Sequence, residues 1–130
     1  MKKLGKGLTL LAATLALFFG SAGIASAHAD GPQVCNSGPQ SACVKFYQNG
    51  DVIRIWDTDC DGHAAVAHVW SASNGVYDNL WNTAGCGTYV DHAYGTAIDE
   101  GSEVFYQACY GIKFADGTYT RCSEIGGGEA

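Results

Sequence analysis

The chain has 130 residues, 47% of them hydrophobic and 15% charged, and its acids outnumber its bases thirteen to seven, for a formal net charge of −6. Such an excess of carboxylate excludes non-specific binding to nucleic acid and to anionic membrane surfaces, both of which are polyanionic. The length suits a leader followed by one domain with a modest core.

Lys2, Lys3 and Lys6 precede an apolar run over residues 8–19, which gives way to small residues ending in Ala25-Ser26-Ala27. A basic start, a short apolar run and an Ala-x-Ala site predict a secretory signal over residues 1–27 and an extracellular destination. The run falls short of the ~20 residues that span a bilayer, so an integral membrane protein is not expected. Cleavage after Ala27 would expose His28, and the overlapping site Ala27-His28-Ala29 would expose Asp30. Without the leader, four bases (Lys45, Arg54, Lys113 and Arg121) face thirteen acids, a net charge of −9. Such a surface suits cations or a basic partner.

Beyond the leader, short β-rich runs alternate with turn signals. Residues 44–48 lead into Asn49-Gly50, a strong hairpin signal, and residues 51–57 return from it. The Asp-rich turn around Asp59 precedes residues 63–70. Residues 76–81, 88–94, 103–110, 112–114 and 118–123 follow, each bounded by Gly, Asn or Asp. Punctuation at this spacing predicts an all-β fold: a small antiparallel β-sandwich of immunoglobulin-like architecture spanning residues 28–123. Glycine is dense and no long segment carries a helical apolar stripe. Residues 124–130, with three consecutive glycines, are expected to form a flexible tail.

Six cysteines lie beyond the leader: Cys35, Cys43, Cys60, Cys86, Cys109 and Cys122. An even number in a short exported chain predicts a disulfide framework, with ~2–4 kcal/mol from each bridge. Cys35 and Cys43 are near in sequence. Cys60 and Cys86 sit in turns two connections apart, at one end of a meander. Cys109 and Cys122 face each other if Asp116-Gly117 tips a hairpin. These three pairs are favoured, with other connectivities open.

Four segments carry a family resemblance: Asp57-x3-Asp61-Gly62-His63-x-Ala65-Val66-Ala67, Asn82-x2-Gly85-x-Gly87-Thr88, Glu100-Gly101-x2-Val104-x-Tyr106-x-Ala108-Cys109 and Arg121-Cys122-Ser123. Together they cover most of the exported chain, which resembles small secreted, cysteine-stapled β-sandwich proteins of filamentous actinobacteria. The resemblance implies the fold and secretion and assigns no activity. Some such proteins are suspected parts of secreted toxin assemblies, a role that goes with a long N-terminal arm; here only about fifteen residues separate the leader from Cys43. Residues 116–122 also resemble a tyrosine corner. Tyr119, however, precedes Cys122 by three residues rather than two, so immunoglobulin-like describes the architecture alone.

Asp57-x-Asp59-x-Asp61-Gly62 matches the first half of a calcium loop, where alternate carboxylates converge on a hard cation. The twelfth position is His68 rather than a bidentate Glu, so the motif is not an EF-hand. The competing reading is an Asp-rich turn. An N-terminal His28 offers copper an amine and an imidazole, with His63, His68 or His92 as a second ligand. No resident cofactor is expected beyond these two possibilities, calcium ahead of copper. No Gly-x-Ser-x-Gly elbow is present. Asp91 and His92 are strand neighbours on opposite sides, Glu100 and Glu103 read as solvated, and paired cysteines leave no thiol nucleophile. An enzyme is therefore not expected. Aromatics are the remaining signal. Tyr77, Trp81, Tyr89 and Tyr94 lie near Asn- and Gly-rich turns and are the candidate binding residues. The expected function is a secreted binding or structural module acting on an extracellular protein partner. A glycan-binding module and a small metal-binding protein or metal-dependent enzyme are the alternatives.

Overall fold

The computed structural model describes residues 29–38 and 41–130. The predicted leader and His28 lie outside the described residues. In chain order the strands are β1 (Val34–Cys35), β2 (Ala42–Tyr47), β3 (Val52–Asp57), β4 (Ala65–Ser71), β5 (Val76–Asn82), β6 (Thr88–Ala93), β7 (Glu103–Lys113), β8 (Thr118–Thr120) and β9 (Gly126–Glu129). They form two antiparallel sheets. The first has the order β1-β2-β3-β6. In the second, β5-β4-β7 is completed by β8 and β9, which share the outer edge of β7. The fold is the all-β, disulfide-stapled sandwich that the sequence predicts. Among the described residues no helix is long and apolar enough to cross a membrane.

Period-two alternation builds the sandwich. Along β3, Ile53, Ile55 and Asp57 are buried while Val52, Arg54 and Trp56 point outward. Phe46 joins Ile53 and Ile55 from the first sheet, and meets Val69, Val104 and Tyr106 from the second. Each large side chain so buried contributes about 1.5–3 kcal/mol. The predicted hairpin is present, with a register that pairs Tyr47 with Val52. Asp51, expected in the strand, belongs to the turn: its φ is +51° and its N–H donates to the Gln48 carbonyl at 3.1 Å. All three disulfides pair as favoured: Cys35–Cys43, Cys60–Cys86 and Cys109–Cys122.

Two glycine readings need correction. The expected flexible tail is strand β9, paired with residues Glu103 to Tyr106, and Ala130 beyond it is buried. The glycines of this segment serve close approach rather than freedom. A Cβ on Gly126 would lie 2.5 Å from the Tyr106 ring, and one on Gly128 would collide with Phe46. The backbone beyond is held as well, since Ala130 donates to the Ser102 carbonyl and accepts from the Gly101 N–H. The domain therefore includes residues 124–130. Gly111, read as a break, lies inside β7, because a Cβ there would meet the Trp81 ring at 2.5 Å and the Ala64 carbonyl at 2.7 Å.

Candidate functional site

The second sheet presents its outer face in cross-strand rows. Phe105 of β7, Trp70 of β4 and Tyr77 of β5 stand abreast, and beside them Gln107, His68 and Asn79 form a second row. Trp70 stacks on Phe105 at 5.8 Å between ring centroids. His68 lies 5.0 Å from Trp70 and meets Tyr77 edge-on at 4.9 Å. In a third row, Val66 and Cys109 are fully buried, and Trp81 is half-buried with Phe114 packed edge-on against it at 5.4 Å. That row closes one end of the face. The first two rows stay accessible, with Tyr77 72% exposed.

Hydrogen bonds fix the polar row. His68 Nδ1 lies 2.8 Å from Asn79 Oδ1 and 3.4 Å from the Tyr119 hydroxyl, so both neighbours hold the ring. Tyr119 of β8 stacks over His68 at 6.0 Å. Gln107 donates to the Ser123 carbonyl at 2.8 Å. Ser123 sits in the kink between β8 and β9, where Ala108 donates to its Oγ and accepts from its N–H. No Asp, Glu, Lys or Arg stands in the two open rows.

The outer face of the first sheet is built differently. Arg54 makes two hydrogen bonds of 2.7 Å to Asp91, and its guanidinium lies 4.1 Å from the centroid of Tyr89. The hydrogen bond from Arg54 is the main cause holding the Asp91 carboxyl below its ordinary range. Lys45 lies over the Tyr47 ring and 3.7 Å from Asp30.

The four predicted binding aromatics are therefore not brought together. Tyr77 and Trp81 belong to the second sheet's face, and Tyr89 lies across the sandwich under Arg54. Tyr94, expected accessible, is buried at 9% exposure and donates to Asp78 at 2.9 Å. Burial first, and then Asp78, raise its pKa. No local sequence pattern marks Phe105, Trp70, Asn79, Gln107 and Tyr119 as binding residues, and His68 stands out only as a candidate copper ligand. Their i, i+2 spacing within strands was visible, but their alignment depends on pairing β4 with β7.

The carboxylates of Asp57, Asp59 and Asp61 do not converge as the calcium motif requires. Asp57 is buried, and its Oδ1 accepts from the Asp59 N–H at 3.4 Å. Asp61 accepts from the His63 N–H at 2.9 Å, and the Cys60–Cys86 bridge pins the turn. Among the described residues, no three His, Cys, Asp or Glu side chains gather as a metal would need. The carboxylates shape the turn instead. A cavity of about 410 Å³ beside it is lined by Asp57, His63 and Asn82 among others, and the buried Asn82 amide already donates to the Ile55 and Thr88 carbonyls. The histidines considered for copper are separated: His68 is on the second sheet, His92 is on the first beside Tyr94, and His63 is beside Tyr110.

No protein-family model, curated protein or solved structure matches this chain.

Proposed function

We propose that the protein is a secreted binding module that docks an extracellular protein partner on the outer face of its second sheet. The uncharged double row, Phe105-Trp70-Tyr77 beside Gln107-His68-Asn79, carries this reading. Interface cores are depleted of charge and enriched in aromatics, with charged groups at the rim. Here the rim includes Glu103 and the Lys113–Asp116 pair. The face is carried by a central strand, β4, hydrogen-bonded on both sides, so docking orders little backbone. The leader pattern and three disulfides support an extracellular setting. One observation favours a glycan as the second reading. An amide-bearing row beside an aromatic row offers both ring stacking and hydrogen bonds.

Immobilised wild-type protein, Tyr77→Ala and Tyr89→Ala, each exposed to culture medium, separate these readings. Tyr77→Ala is expected to weaken retention of a specific protein by at least about tenfold, the effect of losing an interface anchor. Tyr89→Ala should retain it. Equal capture by all three variants defeats the reading. Retention on an insoluble neutral polysaccharide that is lost in Tyr77→Ala replaces it with the glycan reading.

A further inference from the structure

Strand β5 ends the second sheet, and its outer backbone edge has no partner among the described residues. Which groups lie on that edge follows from the ladder. Gly111 of β7 donates to the Ala64 carbonyl at 2.8 Å, so Val66, His68 and Trp70, in phase with Ala64, turn their N–H and C=O groups toward β7. Ala65, Ala67, Val69 and Ser71 bond across to Asn82, Leu80, Asp78 and Val76 of β5. Tyr77, Asn79 and Trp81 therefore aim their N–H and C=O groups away from the sheet. A groove of about 360 Å³ lies beside Asn79 and Trp81, with Val90 and His92 of β6 on its far side, so the edge is open.

An open edge is a template for another strand, and native proteins usually blunt it by shortness, charge, Gly or Pro. β1 has two residues, β8 has three, and β9 is mostly glycine. β5 runs for seven residues without Lys, Pro or Gly, and its register with β4 is unbroken. Its one charged side chain, Asp78, is held by the Tyr94 hydroxyl at 2.9 Å.

We propose that β5 pairs antiparallel with β5 of a second copy of this chain, about a two-fold axis at Asn79. The strand is self-complementary in that register. Asn79 of one copy faces Asn79 of the other, and Tyr77 faces Trp81 on the same outer face, a cross-strand aromatic pair. Each outward N–H of one copy then meets an outward C=O of the other. Asp78 falls opposite Leu80, so no two carboxylates are directly opposed. β6 offers the same kind of edge, but Asp91 is the middle of its outward-turned residues, and a two-fold there would set like charges face to face. Charge therefore selects β5. The contact uses the same patch on both copies and closes as a dimer. Strand-edge pairing buries little area, and the thirteen acids and four bases beyond residue 27 make copies repel. The dimer is accordingly weak, with a Kd on the order of 10⁻⁵–10⁻³ M. It uses the edge of β5 rather than the sheet's outer face, and so stands apart from the docking described above.

Sedimentation equilibrium from about 10 µM to about 1 mM protein spans that range and tests the proposal. The wild type should shift from monomer toward dimer. Amide hydrogen exchange at the two ends of the range locates the contact. The amides of Tyr77, Asn79 and Trp81 should gain protection at high concentration, whereas those of Asp78 and Leu80, already bonded to β4, should not change. Asn79→Lys alters an exposed residue, sets like charges on the two-fold axis and should weaken association at least about tenfold. Ala93→Lys adds the same charge at an exposed position of β6 and should dimerise like the wild type. A wild type that stays monomeric at the highest concentration, a dimer that leaves those three amides unprotected, or undiminished association in Asn79→Lys would each overturn the proposal.

Discussion

On the outer face of the first sheet, Arg54 grips Asp91 through two 2.7 Å bonds and lies 4.1 Å from the Tyr89 ring centre. On the outer face of the second sheet, Tyr77, Trp70 and Phe105 stand in a row that holds no Asp, Glu, Lys or Arg, with Glu103 at its edge. Both faces are rich in aromatics, and they differ in what occupies the rings. Arg54 offers cation–π contact to Tyr47, Trp56 and Tyr89 from within the chain, so that face is already partnered. Aromatic content alone therefore does not mark a binding surface. The second face differs in that its rings pack on one another, with no Lys or Arg of the described residues placed over Trp70, Tyr77 or Phe105.

The largest expected effect on this contrast comes from the bridge under the second face. Cys109 is fully buried in its third row and ties β7 to the kink after β8. Replacing Cys109 and Cys122 together by Ala should lower stability by about 2–4 kcal/mol. Denaturant unfolding measures this. Capture by the second face should weaken as well, because Tyr119 and Gln107 depend on the same edge, while the Arg54–Asp91 pair is left intact. Loss of stability without any loss of capture would show that the edge does not shape the site.

Gly111→Ala is a finer test of the same face. The added Cβ meets the Trp81 ring and the Ala64 carbonyl, and overpacking of this kind costs about 1–3 kcal/mol. Thermal melts should show the loss, and the fluorescence of Trp81 should shift as its ring is displaced. A neutral result would mean that Trp81 rides loosely over β7, contrary to its packing between Gly111 and Phe114.

The strands and the disulfides were legible in the sequence because their signals are local. Alternation in residues such as Ile53, Arg54, Ile55 and Trp56 fixes the buried face, and the cysteines sit at turns or across a hairpin. Three features were not legible. Glycine has two uses, and only the neighbours distinguish them. Gly126 and Gly128 read as loose tail until Tyr106 and Phe46 are seen against them. The double row needs β4 between β5 and β7, a long-range pairing that no local pattern specifies. Carboxylates in sequence alternation drew attention to Asp57, Asp59 and Asp61. Only the structure shows that Asp57 is buried and that Asp61 accepts from the His63 N–H, so the three carboxylates do not converge.

The smallest expected effect concerns the first face and carries a pH signature. Asp91 is held below its ordinary pKa by Arg54. Its pairing therefore stabilises the fold above the unfolded carboxyl pKa of roughly 4, and that contribution is lost as pH falls through the lower folded value. The side chains are 29% and 38% exposed, so solvent screens the pair and its contribution is about 0.5–1 kcal/mol. Asp91→Asn should cost that much at pH 7 and progressively less toward pH 3, and high salt should shrink the difference. Asp57 runs the other way. Burial raises its pKa, so the folded state favours its protonated form, and stability falls as pH rises through the folded value. Asp57→Asn should remove that penalty, with Asn Oδ1 still able to accept from the Asp59 N–H. Urea titrations of both variants between pH 3 and pH 7 should thus diverge in opposite directions from the wild type. If Asp91→Asn is neutral throughout, Arg54 is held by the three aromatic rings rather than by its carboxylate, and the first face is partnered by cation–π contact alone.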